Sequence, residues 1–133
     1  MRRAWMVIAM VCVASIAWAQ QDAKAEEKAA EERAKARLAE FRKSLRTCRE
    51  TDHFVDALAG LANEPHALIL AELKLWLAKP QYEIRLKAAE ELSKFTGDGK
   101  ASATLIAAAV TEKETGVATA YLDRLLEIRH RAS

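Results

Sequence analysis

Two amphipathic stretches that lie 33 residues apart constrain the fold of this chain more than any other feature. The first runs from Tyr82 to Phe95, with apolar residues at helical spacing on one face and charged residues largely on the other. Five apolar positions recur in the second stretch: Ile84 with Val117, Ala88 with Tyr121, Ala89 with Leu122, Leu92 with Leu125 and Phe95 with Ile128. Because a helix pair repeated at this period cannot bury its apolar faces alone, the pattern predicts pairs that stack on one another.

The other segments beyond residue 50 also have helical patterns separated by short connections. A helix is expected over residues 100–110, with Ile106 and Val110 among its apolar residues. The stretch 66–79 is apolar around most of its circumference, so Leu75 and its neighbours are expected to be covered on several sides. Four glycines and two prolines leave few helix breaks. The chain is predicted to be all-α, a short α-solenoid of antiparallel helix pairs with a long N-terminal helix.

The first amphipathic stretch resembles the first helix of a HEAT-type repeat in its short bacterial form. The residues that fill the family's pattern are Glu83, Ile84, Arg85, Ala88, Ala89 and Leu92, and Gly97-Asp98 follow at the family's turn. The resemblance covers residues 82–112 well, 117–129 fairly and 52–78 loosely, and Ala118 replaces the arginine in the later copy.

The resemblance implies stacked antiparallel helix pairs and a concave surface that binds other proteins. Arg85 is the candidate repeat-motif position. Trp76 and Tyr82, on either side of Pro80, are candidates for the partner face, although packing in the core is the default expectation for Trp76.

The N-terminus has the three-part layout of a secretory signal peptide. Arg2-Arg3 precede an apolar run over residues 4–18, and the small residues Ala17 and Ala19 flank Trp18. This layout predicts cleavage between Ala19 and Gln20, and therefore export to the periplasm or outside the cell, in a bacterial envelope. The run is shorter than the roughly 20 apolar residues that cross a bilayer core. An uncleaved membrane anchor is the alternative, and only then is a membrane contact expected.

Residues 20–50 are expected to form a charged, alanine-rich helix between the signal peptide, 1–19, and the helical repeats, 51–133. Residues 20–33 contain no apolar residue larger than alanine and are expected to stay solvated. The second half has an apolar stripe with steps of four and three: Ala34, Leu38, Phe41, Leu45 and Cys48. Docking of this stripe on the repeats is expected, and pairing of two chains through it is the alternative.

No catalytic, cofactor or metal site is predicted. His53, His66 and His130 are scattered, whereas zinc needs four ligands, or three and an open site. Acid pairs such as Glu90-Glu91 are expected on solvated faces. Once residues 1–19 are removed, Cys48 is the only cysteine, expected as a half-buried small apolar side chain. A disulfide between two chains is its alternative.

Charge argues against nucleic-acid binding, which needs a concentrated basic face. The chain has 21 basic and 19 acidic residues, and two of the basic ones lie in residues 1–19, so 19 of each remain (21 − 2 = 19). We therefore expect an exported, non-catalytic interaction or scaffold module that binds an unidentified protein partner, as a monomer or weak dimer, without a cofactor. The alternative is a membrane-anchored or self-associating structural protein that uses the 34–48 stripe.

Overall fold

The computed structural model describes the backbone of residues 2–96 and 99–132 and the side chains of residues 16–96 and 99–131. Over this part of the chain the structure has six helices and no strand. They are α1 Arg2–Leu45, α2 Thr51–Leu58, α3 Ala67–Trp76, α4 Tyr82–Leu92, α5 Gly99–Thr111 and α6 Thr115–Ala132. The all-α prediction is confirmed, and the expected turn at Gly97-Asp98 lies outside the described residues.

The chain divides into two compact units, Met1–Arg33 and Ala34–Ser133. In the first unit, residues 16–28 and 31–33 are exposed, while Ala29 and Ala30 are half-buried. Over residues 20–33 this exposure agrees with a helical segment that has no wide apolar stripe. An exposed pair joins Arg33 Nη2 to Glu26 Oε1 at 3.4 Å, a contact that contributes little to stability.

Helix α4 is the centre of the second unit, because it packs against α2, α3, α5 and α6. Its buried apolar residues are Ile84, Ala88, Ala89 and Leu92. Two of them are alanines, whose small side chains let the neighbouring helices approach closely. Removing this stripe and its partners from water supplies the main driving force for folding of the unit.

The stripe on the last turns of α1 lies in the core of the second unit. Ala34, Leu38 and Phe41 are all buried. The rings of Phe41 and Trp76 meet edge to face, with centroids 5.6 Å apart. The ring of Phe54 lies against the same indole, with the two ring centroids 5.9 Å apart. Three aromatic rings from α1, α2 and α3 therefore form one cluster, an arrangement that adds to the energy of simple burial.

Polar contacts surround the indole of Trp76. Its N–H donates to Glu72 Oε1 at 3.3 Å, and Glu72 Oε2 lies 3.4 Å from Arg42 of α1. The ammonium group of Lys79 lies over the ring, 4.8 Å from its centroid. Trp76 is thus enclosed by residues of its own chain.

Single residues depart from the expected burial. Leu75 is 64% exposed, because α3 has one face that no other helix covers. Leu122 is 52% exposed, although its counterpart Ala89 is fully buried. The reason is that α4 has helices on several sides, whereas over the described residues the main packing partners of α6 are α4 and α5. The sequence expectation was wrong at both leucines.

Candidate functional site

Arg85, in the first turn of α4, connects two loops. Its Nε and Nη2 donate to the two carboxylate oxygens of Glu112, each at 3.0 Å. Its Nη1 donates to the carbonyl oxygens of Lys79, at 2.9 Å, and Pro80, at 2.7 Å. A forked guanidinium matches a carboxylate in this way, and a lysine does not. The α3–α4 and α5–α6 connections are therefore held together beside the N-terminus of α4.

Glu112 has further partners that keep it ionised. The Tyr121 hydroxyl donates to its Oε2 at 3.3 Å, and the Glu114 N–H donates to its Oε1 at 3.2 Å. Burial acts to raise the pKa of Glu112, but the Glu114 amide and the Arg85 guanidinium outweigh it and hold the pKa below its usual value. Burial, and then the charge of Glu112, raises the pKa of Tyr121 to about 12. Neither group titrates near neutral pH, so the cluster suits a structural role better than proton transfer.

Glu91 is a second polar anchor, on the last turn of α4. Its side chain is 1% exposed, and its carboxylate accepts the backbone N–H groups of Gly60 and Ala62. Lys94 Nζ lies 2.7 Å from Glu91 Oε2 and donates to Asn63 Oδ1 at 2.9 Å. Gly60 adopts a φ of +79°, which favours glycine. The buried carboxylate thus satisfies amides of the tight turn between α2 and α3 and is itself paired.

Over residues 103–110, helix α5 exposes a face without a charged residue. Ile106 is 52% exposed and Val110 is 80% exposed. Ala103 and Ala107 are also exposed and lie on the same face by helical spacing. On the opposite side, Leu105 is fully buried. Exposed apolar residues that cluster on one face, unlike single scattered ones, are typical of interaction sites.

Helix α3 and the turn after it expose residues at positions that match the exposed positions of α5, and the two helices approach each other at a depression near their C-terminal ends. Leu73 and Leu105 are both fully buried, and they lie 32 residues apart (105 − 73). At this shift the exposed positions coincide: Ala71 with Ala103, Lys74 with Ile106, Leu75 with Ala107 and Ala78 with Val110. Ala78 and Thr111 line one surface depression of about 410 Å³ between the ends of the two helices. We call the apolar members of this set the α3–α5 face: Ala71, Leu75, Ala78, Ala103, Ile106, Ala107 and Val110.

The charges around the α3–α5 face are mainly positive. Lys74 is exposed on α3, and Lys79 and Lys113 line the depression. The carboxylate of Glu114 also lines it and lies 3.9 Å from the Arg85 guanidinium. The remaining lining charges, Arg85 and Glu112, neutralise each other in their ion pair. The charges around the face that remain are therefore three lysines and the carboxylate of Glu114, which lies close to the Arg85 guanidinium.

The residues predicted for the repeat motif and partner face occupy different environments. The guanidinium of Arg85 lines the depression, but its three nitrogens are engaged within the chain. Trp76 is 7% exposed, inside the aromatic cluster, while Tyr82 is 45% exposed at the start of α4. At the predicted cleavage site, Ala17, Ala19 and Gln20 are exposed residues of α1.

The histidines and the cysteine of the described residues make local contacts. His66 caps α3, because its Nδ1 accepts the N–H of Leu68 at 3.1 Å. His53 Nδ1 accepts backbone N–H groups that precede α2. The half-buried thiol of Cys48 donates to the carbonyl of Ser44 at 3.3 Å. Within the described part of the chain, no three His, Cys, Asp or Glu side chains are grouped as metal ligands.

Over the described residues, no helix is both long and apolar enough to cross a bilayer.

Comparisons of the chain with protein-family models, curated proteins and solved structures give no match. The resemblance to HEAT-type repeats therefore rests on the motif residues of the first amphipathic stretch.

Sequence reasoning missed the role of Glu91, which was expected on a solvated face and is buried. A signal for it exists, because Glu91 lies three residues after Ala88 and four before Phe95, inside the apolar stripe of its helix. The neighbouring Glu90 is 44% exposed, as expected. A carboxylate at a stripe position predicts a buried anchor that needs donors.

Proposed function

We propose that this protein is an exported, non-catalytic interaction module, built from HEAT-like helix pairs, that binds another protein through the α3–α5 face. The observation that carries the proposal is the uncharged, exposed surface of α5, with Val110 80% in solvent. The polar anchors of α4 are already satisfied within the chain. The apolar residues of the face are therefore available for a partner.

Three features support a short solenoid of antiparallel helix pairs. The helices α2, α4 and α6 begin at Thr51, Tyr82 and Thr115, 31 and 33 residues apart (82 − 51 and 115 − 82). The central member, α4, packs against both of the others. Buried residues also recur at the shift of 33: Ile84 with Val117, Ala88 with Tyr121 and Phe95 with Ile128. In such an arrangement α3 and α5 are the inner helices, which form the binding surface of solenoids.

The burial of the α1 stripe favours this function over self-association through residues 34–48. Phe41 is 1% exposed and packs edge-on against Trp76. A second chain could pair with this stripe only after the stripe had left the core. Removing a buried aromatic side chain from the core lowers the free energy of unfolding by about 3–5 kcal/mol. Releasing the stripe so that two chains can pair through it is therefore unfavourable.

Photo-crosslinking in the cell that produces the protein tests the face directly. A benzophenone amino acid is placed at Ala107, within the face, and in a control chain at the exposed Asp123 of α6. We expect an adduct with one protein from Ala107 that disappears when Ile106 and Val110 are both changed to Gln. Equal adducts from both positions, or adducts that survive the Gln changes, contradict the proposal.

Export has its own test, because it depends on the N-terminal residues and not on the face. Cell fractionation followed by N-terminal sequencing should give a mature chain that begins at Gln20. A chain that keeps Met1 and stays in the membrane fraction contradicts export by cleavage and supports the anchored alternative.

A further inference from the structure

We propose that the partner of the α3–α5 face is an amphipathic helix whose apolar stripe is flanked by carboxylates. This inference rests on the proposed function and names the chemistry of the partner. It follows from three properties of the face: an apolar floor, a rim of lysines, and a depression at one end.

The floor suits a helix better than an extended strand. It consists of alanines on both helices with three larger side chains, Leu75, Ile106 and Val110. Alanines permit close approach of a second backbone, and the larger residues supply contact area. Helix α5 has 13 residues and is therefore about 20 Å long, enough to contact about four turns of a partner. Recognition of this kind uses anchors at helical spacing and needs no free backbone groups, which α3 and α5 do not offer.

The rim selects carboxylates. Lys74 lies at the α3 position that matches Ile106, so it stands beside the floor residues Ala71, Leu75 and Ala78. Lys79 and Lys113 lie at the depression, where the opposing charge is Glu114. The carboxylate of α3, Glu72, is held by Trp76 and Arg42 and does not offset the lysines. A partner with acidic flanks gains attraction from this rim, and one with basic flanks is repelled.

The same rim argues against a second copy at this face. In a two-fold contact each copy presents the same lysines to the other, and like charges at an interface are costly. The depression adds a further preference. The depression of about 410 Å³ next to Lys79 and Lys113 is large enough to receive a side chain of the partner.

Two synthetic helices of about 20 residues test the inference with the full chain. They share one leucine–alanine stripe, and their flanks carry Glu in one and Lys in the other. Fluorescence anisotropy should show the Glu-flanked helix binding about tenfold more tightly than the Lys-flanked one, as two or three exposed charge pairs would give. The difference should shrink in high salt. In the K74E/K113E variant the order of the two affinities should reverse.

The outcomes separate this inference from the function on which it rests. Equal binding of the two helices, lost in I106Q/V110Q, overturns the acidic partner and keeps the docking face. No binding, or binding that I106Q/V110Q leaves unchanged, overturns both. Tighter binding to phosphatidylglycerol vesicles than to the Glu-flanked helix overturns the protein partner in favour of a membrane surface. If the unchanged chain sediments as a dimer and the I106Q/V110Q variant as a monomer, the occupant of the face is a second copy of this chain and the acidic partner helix is overturned. Circular dichroism of every variant verifies that it is folded.

Discussion

Helices α4 and α5 are both rich in alanine, yet they use their residues in opposite ways. Helix α4 packs against four helices, and its polar residues Arg85 and Glu91 are buried or half-buried with partners inside the chain. Helix α5 buries Leu105 but leaves Ile106 and Val110 in solvent. Helix α4 connects the other helices of the unit, and α5 leaves an apolar face exposed to solvent. The comparison predicts that changes in α4 reduce stability, whereas changes on the outer side of α5 reduce binding.

The comparison of α4 with α5 also shows different roles for polar and apolar side chains. The anchors of α4 reach loops that are distant in sequence: Glu91 reaches Gly60, and Arg85 reaches Glu112. Each anchor makes several hydrogen bonds, so that the buried charges are satisfied. The exposed side chains of Ile106 and Val110 in α5 are apolar, and their burial by a partner would be favourable.

The largest expected effect is the loss of the Glu91 anchor. Glu91→Ala leaves the amides of Gly60 and Ala62 without their acceptor and Lys94 without its charge partner. We expect the free energy of unfolding to fall by about 3–5 kcal/mol, the usual result of breaking a buried pair. Urea unfolding followed by circular dichroism measures it. The matched control is Glu90→Ala, whose exposed carboxylate should matter little; similar losses in the two variants would contradict the role of Glu91.

A double-mutant cycle measures the Arg85 anchor. Arg85→Met should lower the free energy of unfolding by about 2–3 kcal/mol, because Glu112 is left buried without its charged donor. Adding Glu112→Gln removes that buried charge, so the double variant should lose less than the sum, with a coupling of about 1–2 kcal/mol. Arg124→Met, in the half-exposed pair with Glu127 on α6, is the control. Additive losses would show that the guanidinium and the carboxylate do not interact in solution.

A smaller effect is expected from pH. The pKa of Glu112 is lower in the folded chain than in the unfolded chain, so its contribution to stability is present above the unfolded value of 4.5 and is lost as pH falls through the folded pKa. The difference in unfolding free energy between the unchanged chain and Glu112→Gln should therefore narrow between about pH 7 and about pH 3. A difference that stays constant over this range would mean that Glu112 has the same pKa in both states.

The helical pattern of the sequence was enough to predict the all-α fold and most of the core. Ile84, Ala88 and Phe95 are buried as predicted, and so are Val117 and Tyr121 at the repeat shift. Helical spacing gives the direction of each side chain but not which helix covers it. For this reason Leu122 was expected in the core by analogy with Ala89, although α4 packs against four helices and α6 packs mainly against α4 and α5.

The site was less predictable, because it depends on contacts between distant segments. The spacing placed Ile106 and Val110 among the apolar residues of α5, but only the structure shows that they face solvent. The carboxylate partner of Arg85, Glu112, lies 27 residues away, a distance that no local pattern reports. Glu91 is different, since its position within the stripe of α4 could have predicted burial.

The measurement that tests the central claim most directly is the stability of the I106Q/V110Q variant beside that of Leu105→Ala on the same helix. Glutamine is uncharged and a good helix former, so it changes the face without disturbing α5. We predict that I106Q/V110Q unfolds within about 0.5 kcal/mol of the unchanged chain, while Leu105→Ala loses about 2–5 kcal/mol. A loss of several kcal/mol in I106Q/V110Q would show that these residues are packed in the folded chain, and the α3–α5 face would no longer be a docking surface.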